Sequence, residues 1–203
     1  MVVWPHGDSV DITLRSYQAA AQRYADHSTA PSPALGAFLD RVADLVGAGR
    51  LLEVGSGPGL DATYLRRRGV DVWPTDATPA FVEMLRSAGH EARLLDVRFG
   101  DLGGPWQGAL AQAVLLHLDR AQFTDALDRV REAVVDGGVL AFTVKEGDGD
   151  GWSEAKLDLP RHFTYWRERP LRDALAQSRW DVQSVDHVVG RAEPWLYVMA
   201  RAT

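Results

Sequence analysis

A glycine-rich turn preceded by an acid is the segment of this sequence with the clearest chemical potential. It occupies residues 53–59 and reads EVGSGPG, at the end of a short apolar run that predicts a strand. Glycines allow a tight turn there and let a ligand approach the backbone closely. A dinucleotide fingerprint would need glycine at Leu60, and no Gly-Lys-Ser/Thr sequence follows, so neither that fingerprint nor a P-loop is present. The pattern predicts a ligand-binding turn of another kind, the alternative being a plain strand-to-helix turn.

Two aspartates follow the next two predicted strands and favour a nucleoside as the ligand. Asp76 ends the second predicted strand, where an acid can accept hydrogen bonds from both hydroxyls of a ribose. Asp96 ends the third predicted strand at the same edge of the sheet, where an adenine amino group can donate to it. Either aspartate alone also suits a helix start or an exposed turn. Together with the glycine turn, the acids predict a binding site.

His117 is the candidate general base of this site. It follows the fourth predicted strand, and histidine titrates near neutral pH. With an ordinary pKa it would cause turnover to fall on the acid side of neutrality. The alternative is that His117 forms part of the pocket wall and accepts no proton.

The segment over residues 146–166 is predicted to lie over the carboxyl edge of the sheet, because it follows the fifth predicted strand. Its aromatic and basic side chains could enclose a flat substrate. For Phe163 and Trp166, packing in the core is the alternative, and the acidic run over 146–150 is predicted to be a solvated loop. The candidate substrate contacts are Lys145, Trp152, Arg161, His162 and Tyr165.

The elements that must position these residues follow from apolar periodicity. Two N-terminal helices, over 10–27 and 33–46, precede an alternation of strands and helices that predicts a parallel sheet covered on both faces. The chain then ends in two strand-like runs, over 181–189 and 195–201. The gap between them is too short for a helical crossover, so they predict an antiparallel hairpin. The other predicted strands lie at 51–54, 70–73, 93–95, within 108–113 and at 139–144, and the helices at 59–68, after Thr78, after Asp119 and over 168–178.

These motifs resemble those of the class I S-adenosylmethionine-dependent methyltransferases over about residues 10–201. The EVGSGPG turn is similar to their glycine motif, Asp76 to their ribose-binding acid and Asp96-Val97 to their adenine-contacting pair. The resemblance implies an α/β fold with a doubly wound, seven-stranded Rossmann-like sheet, mostly parallel with a terminal antiparallel hairpin. It implies S-adenosylmethionine as cofactor, S-adenosylhomocysteine as product, and no metal.

The resemblance also implies which residues contact the cofactor. In many small-molecule methyltransferases an N-terminal helix with aromatic side chains closes over the cofactor, which implies a lid within residues 1–30; packing against the second helix is the alternative. One or two histidines often follow the fourth strand in this family, and only the second position, His117, is kept here. The expected cofactor contacts are Tyr17, Tyr24, Glu53, Gly55, Ser56, Gly57, Asp76, Ala77, Asp96, Val97, Ala111 and Gln112.

Composition limits the domain count and the partners. A chain of 203 residues that is 46% hydrophobic suits one domain over residues 1–203. The formal charge of −6 argues against bulk nucleic-acid binding, which needs clustered basic residues. No apolar run is long enough for a membrane span, and the first residues do not resemble a secretion signal. The lack of cysteine excludes disulfides and cysteine-ligated metals and suits the reducing cytoplasm.

Transfer of a methyl group to an oxygen or nitrogen of a small molecule, for example an aromatic one, is the leading hypothesis for function. The acceptor must be aligned with the methyl group and its sulfur, so positioning and exclusion of water supply much of the rate. An RNA or protein methyltransferase and an inactive cofactor-binding partner or sensor are the alternatives. A nicotinamide-dependent oxidoreductase is disfavoured by Leu60 and the terminal hairpin. We expect a cytoplasmic monomer or homodimer.

Overall fold

A seven-stranded sheet runs through the centre of the protein, with a separate two-stranded sheet beside it. The structure is a computed structural model that describes residues 8–190 and 193–203. Its strands are β1 (Arg50–Val54), β2 (Asp71–Asp76), β3 (Arg93–Leu94), β4 (Trp106–Ala111), β5 (Val134–Lys145), β6 (Asp150–Ser153), β7 (Arg161–Thr164), β8 (Trp180–Val189) and β9 (Pro194–Ala202).

The strand order in the main sheet is β3-β2-β1-β4-β5-β9-β8. Strands β3, β2, β1, β4 and β5 pair in parallel, whereas β9 is antiparallel to both β5 and β8. This topology confirms the predicted α/β fold and its terminal antiparallel hairpin. Residues 191–192, in the predicted hairpin turn, and residues 1–7, in the predicted N-terminal extension, lie outside the described residues.

The helices cover both faces of this sheet. On one face, the helix that begins at Arg120 packs Phe123 against Phe142 of β5. On the other face, Leu39 and Leu65 pack in the same cluster as Ala141. The central strands are therefore buried on both sides, and their carboxyl ends form a rigid edge. The helices are α1 (Ser9–Ala19), α2 (Ala21–Asp26), α3 (Pro33–Val46), α4 (Leu60–Arg67), α5 (Pro79–Ser87), α6 (Arg120–Ala133) and α7 (Glu168–Gln177), with a short 3₁₀ helix at Leu115–His117.

The helix predicted over residues 10–27 is divided at Ala20. This residue has a φ of −120° and a ψ of 23°, outside helical geometry. Hydrogen bonds from Ala20 N to Ser16 O and from Tyr24 N to Ala20 O continue across the division. The chain therefore bends between α1 and α2 without leaving the sheet edge. Apolar periodicity did not reveal the bend, because the same face of both helices carries the aromatic residues.

The hairpin formed by β6 and β7 was not predicted from the sequence. Its strands have four residues each, which is too short for a clear alternation of apolar and polar residues. The prediction of a solvated loop over residues 146–150 is wrong at both ends of that run. Glu146 forms a bridge with Trp166, and Asp150 begins β6, opposite Thr164.

A capping box fixes the start of α6, directly after the 3₁₀ helix that carries His117. The Asp119 carboxylate accepts a hydrogen bond from Gln122 N at 2.8 Å, and the Gln122 side chain accepts one from Asp119 N at 3.1 Å. We expect Asp119→Ala to lower the free energy of unfolding by about 1 kcal/mol, because a helix N–H loses its partner. Urea denaturation measures this loss. Asp125→Ala, at an exposed position of the same helix, is the control; an equal loss there would contradict the capping role.

Candidate active site

A cavity of about 310 Å³ opens where β1, β2 and β4 end. Its size is typical of sites for small ligands. The glycine loop and the segment after β4 form one side, and α1 and α2 form the opposite side. Glu53 and Ala111, two of the predicted cofactor contacts, are buried behind this lining. The other predicted residues that line it are Tyr17, Tyr24, Gly55, Ser56, Gly57, Asp76, Ala77, Asp96, Val97, Gln112 and His117.

The glycine loop has a backbone that its glycines permit. Gly55 and Gly57 have φ values of 67° and 53°, in the left-handed region that other residues disfavour. A Cβ at Gly55 would lie 2.4 Å from Cγ2 of Val114, so glycine lets the segment after β4 pack against the loop. A Cβ at Gly57 would meet only Tyr24, at 3.9 Å, because this side of the loop faces the cavity. The loop therefore offers its bare backbone to a ligand.

Asp76 holds this loop from the end of β2. One carboxylate oxygen accepts a hydrogen bond from Gly57 N at 2.8 Å, and the other accepts one from Thr78 N at 2.8 Å. Burial raises the pKa of Asp76 above its ordinary value, and hydrogen bonds from the backbone N–H groups of Thr78 and Gly57 act in the opposite direction. Because each oxygen can accept a second hydrogen bond, Asp76 keeps the capacity to bind a hydroxyl of a ligand.

Two further acids lie at this end of the cavity. Glu53 is 2% exposed beneath the loop, and Asp61 lines the cavity. Burial raises the pKa of Glu53 to about 8, with a contribution from Asp61, and burial raises the pKa of Asp61 to about 6. Glu53 Oε2 and Ser56 Oγ have no hydrogen-bond partner in the described residues. Buried acids and unpartnered polar atoms suit a positively charged, hydrogen-bonding ligand.

Asp96 shares its carboxylate with an arginine at the predicted adenine end. Arg98 donates to both oxygens of Asp96, with a shortest distance of 2.7 Å. It also pairs with Asp8 at 3.2 Å and with Asp11 at 2.7 Å, both at the start of α1. The Arg98 side chain is only 6% exposed, so solvent ions screen these pairs little. They fasten α1 over this end of the cavity.

His117 is held by hydrogen bonds at both ring nitrogens. Its Nδ1 lies 2.6 Å from the His162 carbonyl oxygen, which can only accept, so Nδ1 carries the proton. Its Nε2 lies 3.0 Å from the Tyr17 hydroxyl and accepts that O–H. Burial lowers the pKa of His117 to about 3, and the charges of Arg161 and Lys145 act in the same direction. His117 is therefore neutral at physiological pH, as a fixed tautomer.

An aromatic cluster forms the wall on the side of α1. The ring centroids of Tyr17 and Tyr24 are 5.4 Å apart, and Phe81 of α5 lies 6.0 Å and 5.5 Å from them. A hydrogen bond also holds the helix that carries Tyr17, in which Ser16 Oγ donates to Pro160 O at 2.6 Å. The α1 helix is thus attached to the segment leading into β7 as well as to Arg98.

The predicted substrate contacts form a layer behind the cavity wall. Lys145, at the end of β5, pairs with Glu193 at 2.5 Å. Its ammonium lies 3.6 Å from the centre of the Phe163 ring and 5.8 Å from that of Tyr165. The charge of Lys145 is therefore balanced by Glu193, and aromatic rings cover its ammonium.

The β6–β7 hairpin positions the remaining predicted contacts. Trp152 packs edge-on against His162, with ring centroids 5.1 Å apart, and Arg161 donates to the Tyr17 hydroxyl at 3.4 Å. Lys156, in the loop between the two strands, also lines the cavity, although it was not among the predicted contacts. A signal was available, because Lys156 is one of only two lysines in an arginine-rich chain and lies within the segment already singled out.

Comparison with known proteins points in one direction. A family model described as "Methyltransferase domain" matches residues 21–185. The protein-L-isoaspartate O-methyltransferase of Anaeromyxobacter dehalogenans strain 2CP-1 is 29% identical over 173 residues, which cover 73% of this chain and 80% of that relative.

Solved structures share the fold at lower identity. The 1,6-didemethyltoxoflavin-N1-methyltransferase of Burkholderia thailandensis, with bound 1,6-didemethyltoxoflavin and S-adenosylhomocysteine, has a TM-score of 0.74 and 17% identity, covering 100% of this chain and 93% of that chain. The DhpI–SAM–HEP complex has a TM-score of 0.78 and 21% identity, covering 98% and 100% of the two chains.

Proposed function

The chain belongs to the methyltransferase-domain family and is a class I S-adenosylmethionine-dependent methyltransferase, and from this premise we propose that its acceptor is a small molecule, methylated on oxygen or nitrogen. The aromatic wall that covers one side of the cavity carries the proposal. Tyr17 and Tyr24 cover one side, and Lys156 reaches over it from the β6–β7 hairpin. An acceptor atom on a polymer would need an open groove here, whereas a small molecule can be enclosed.

The residues at the acidic end fit the cofactor. S-adenosylmethionine supplies a methyl group that is already activated by a positively charged sulfur. The bare backbone at Gly57 and the free acceptor capacity of Asp76 suit its ribose. The buried carboxyl groups of Glu53 and Asp61 suit its positive groups, because a nearby positive charge favours the ionised form of each carboxyl. Among residues 8–190 and 193–203, no group of three or more acid or histidine side chains could hold a metal ion.

His117 contributes to this site as a neutral hydrogen-bond acceptor in our proposal. Its Nε2 holds the Tyr17 hydroxyl and its Nδ1–H is bound to a carbonyl, so the ring has a fixed orientation. With a pKa of about 3 it takes up a proton weakly. The chain's residues would then align the acceptor and exclude water, and the site suits an acceptor atom that needs no strong base.

We expect His117→Gln to keep the saturated rate within about tenfold of the wild type, since glutamine can still accept the Tyr17 O–H. His117→Ala should lose more, because Tyr17 is left without its acceptor. An ordinary histidine pKa would cause turnover to fall between about pH 7 and pH 5. We do not expect this loss, because the burial of His117 lowers its pKa to about 3. Rates of methyl transfer at saturation, measured against pH, check this.

The opposite result would assign His117 as the general base. In that case both variants would lose about 10²–10⁴-fold, and an acid limb present in the wild type would disappear. Cofactor affinity, measured by calorimetry on each variant, is the control that separates a loss of chemistry from a loss of binding.

A protein acceptor is the second candidate, because the relative from Anaeromyxobacter dehalogenans is named for O-methylation of protein L-isoaspartate. RNA is disfavoured by the formal charge of −6. To decide, the protein is incubated with methyl-labelled S-adenosylmethionine and separately with a metabolite extract, a protein extract and total RNA. We expect label in the dialysable metabolite fraction. Label retained by protein would contradict the small-molecule proposal.

We also propose that the enzyme works in the cytoplasm as a single domain over residues 1–203, as a monomer or homodimer. The lack of cysteine supports a reducing compartment. No helix among the described residues combines the length and apolar character needed to cross a membrane. Cell fractionation and light scattering check the location and the oligomeric state.

A further inference from the structure

A buried arginine next to the active site has no acidic partner. Arg161 is 7% exposed, and its guanidinium donates to the Ala155 carbonyl and to the Tyr17 hydroxyl. Its Nε has no hydrogen-bond partner, and no carboxylate pairs with Arg161 in the described residues. A buried charge without a counter-charge is costly and is retained where a ligand supplies the opposite charge.

A second cation faces the same part of the cavity. The Lys156 ammonium lies 3.6 Å from the centre of the Tyr24 ring and lines the cavity. Within residues 8–190 and 193–203 it has neither an ion pair nor a hydrogen bond, so its three N–H donors are available. Burial and the charge of Arg161 lower the pKa of Lys156, which shows that the two cations act on the same region.

Lys145, the third cation nearby, does have an acidic partner. Its charge also acts on His117, but Lys145 forms an ion pair with Glu193. The unmatched positive charge is therefore that of Lys156, which lies over the Tyr24 ring, and of Arg161, which lies over the Tyr17 ring.

The cavity therefore carries charged groups of both signs. The three acids described above lie at the glycine loop. Lys156 lies over Tyr24, whose ring faces this loop at Gly57, and Arg161 lies over Tyr17. The acids suit the positive groups of the cofactor, and the two cations suit an anionic group on a second ligand.

We propose that the acceptor molecule carries an anionic oxygen group, a carboxylate or a phosphate-type group, that lies against Lys156, with Arg161 behind Tyr17 as a supporting charge. This inference rests on the small-molecule function proposed above and names its substrate class. Lys156 binds the group directly, since it lines the cavity. Arg161 orients Tyr17 through the 3.4 Å hydrogen bond and adds its field at short range.

The test is calorimetric and needs no knowledge of the natural substrate. The full chain, saturated with S-adenosylhomocysteine, is titrated with benzoate, with phenylphosphonate and with benzamide, the neutral counterpart of benzoate. We expect at least one of the two acids to bind at least about tenfold more tightly than benzamide. Lys156→Met should weaken that binding about tenfold and weaken the binding of S-adenosylhomocysteine less; a loss confined to S-adenosylhomocysteine would assign Lys156 to the carboxylate of the cofactor and overturn the inference. Arg169→Met, at an exposed site on α7, is the matched control and should change neither affinity.

Two outcomes would overturn the inference. One is that neither acid binds better than benzamide to a chain that binds S-adenosylhomocysteine. The other is that Lys156→Met leaves acid binding unchanged. Arg161→Lys, which keeps the buried charge, should preserve more acid binding than Arg161→Met; if Arg161→Met fails to fold, the Lys156 variant still decides. The small-molecule function is tested separately by the labelling experiment. Label in protein would contradict that function without altering the binding of benzoate, phenylphosphonate or benzamide.

Discussion

Deletion of residues 1–30 is expected to abolish cofactor binding and to lower the free energy of unfolding by at least about 3 kcal/mol, the scale of uncovering two buried apolar side chains. Val10 and Ile12 of α1 are buried. The deletion also removes both α1 partners of Arg98, and the Thr13 hydroxyl that accepts a hydrogen bond from His162 N at 2.9 Å. Urea denaturation and calorimetry with S-adenosylhomocysteine measure the two losses.

A shorter deletion is the control for this experiment. Removal of residues 1–7 keeps Asp8 and every contact described for α1, so stability and affinity should stay close to those of the full chain. If the chain without residues 1–30 stays folded and binds the cofactor normally but turns over poorly, α1 is a lid over a preformed site, as the family resemblance implies. The contacts of α1 instead favour a permanent wall.

Asp76→Ala should weaken the binding of S-adenosylhomocysteine by roughly 1.5–3 kcal/mol, which is about 10- to 150-fold. The variant loses the acceptor for Gly57 N and that for Thr78 N, so the loop is less ordered when the ligand arrives. It also loses the acceptor that we propose for the ribose hydroxyls. The affinity of Asp76→Asn, which has a single acceptor oxygen, should lie between those of the wild type and Asp76→Ala. Calorimetry on the purified variants gives the affinities.

Asp71→Ala is the matched control, because Asp71 is exposed at the opposite end of the same strand. Its affinity should equal that of the wild type. Thermal denaturation adds a check on ligand class: S-adenosylmethionine and S-adenosylhomocysteine should raise Tm by binding the native state, and NAD should not. Unchanged affinity in Asp76→Ala would limit this residue to holding the loop.

The glycine-loop side of the cavity could be predicted from the sequence because its determinants are local. Gly55 and Gly57 come shortly after β1, and Asp76 is the last residue of β2, so the strand ends fix where these residues lie. The side that we propose for the acceptor depends on the β6–β7 hairpin, whose register brings His162 opposite Trp152 and leaves Lys156 in the connecting loop. Strands of four residues leave no clear pattern, so the partners of these side chains were not predictable.

The ionisation of His117 illustrates the same limit. The residue type and its place after the fourth strand suggested a base that titrates near neutrality. The structure does place His117 after that strand, at the cavity. Its pKa is instead set by burial and by Arg161 and Lys145, which are distant in sequence. The bond to the His162 carbonyl that fixes its tautomer also crosses from one element to another. Such effects follow from tertiary packing, which periodicity does not contain.

The Arg98 cluster makes the N-terminal helix and the Asp96 end of the cavity a single unit for evolution and for protein engineering. One guanidinium holds Asp8, Asp11 and Asp96 at once, so the effect of changing Asp11 depends on which residue stands at position 96. Substitutions in such a network are not additive. Libraries that vary the helix to admit new acceptors therefore need to vary position 98 with it, since a helix exchanged alone leaves a buried arginine with fewer partners.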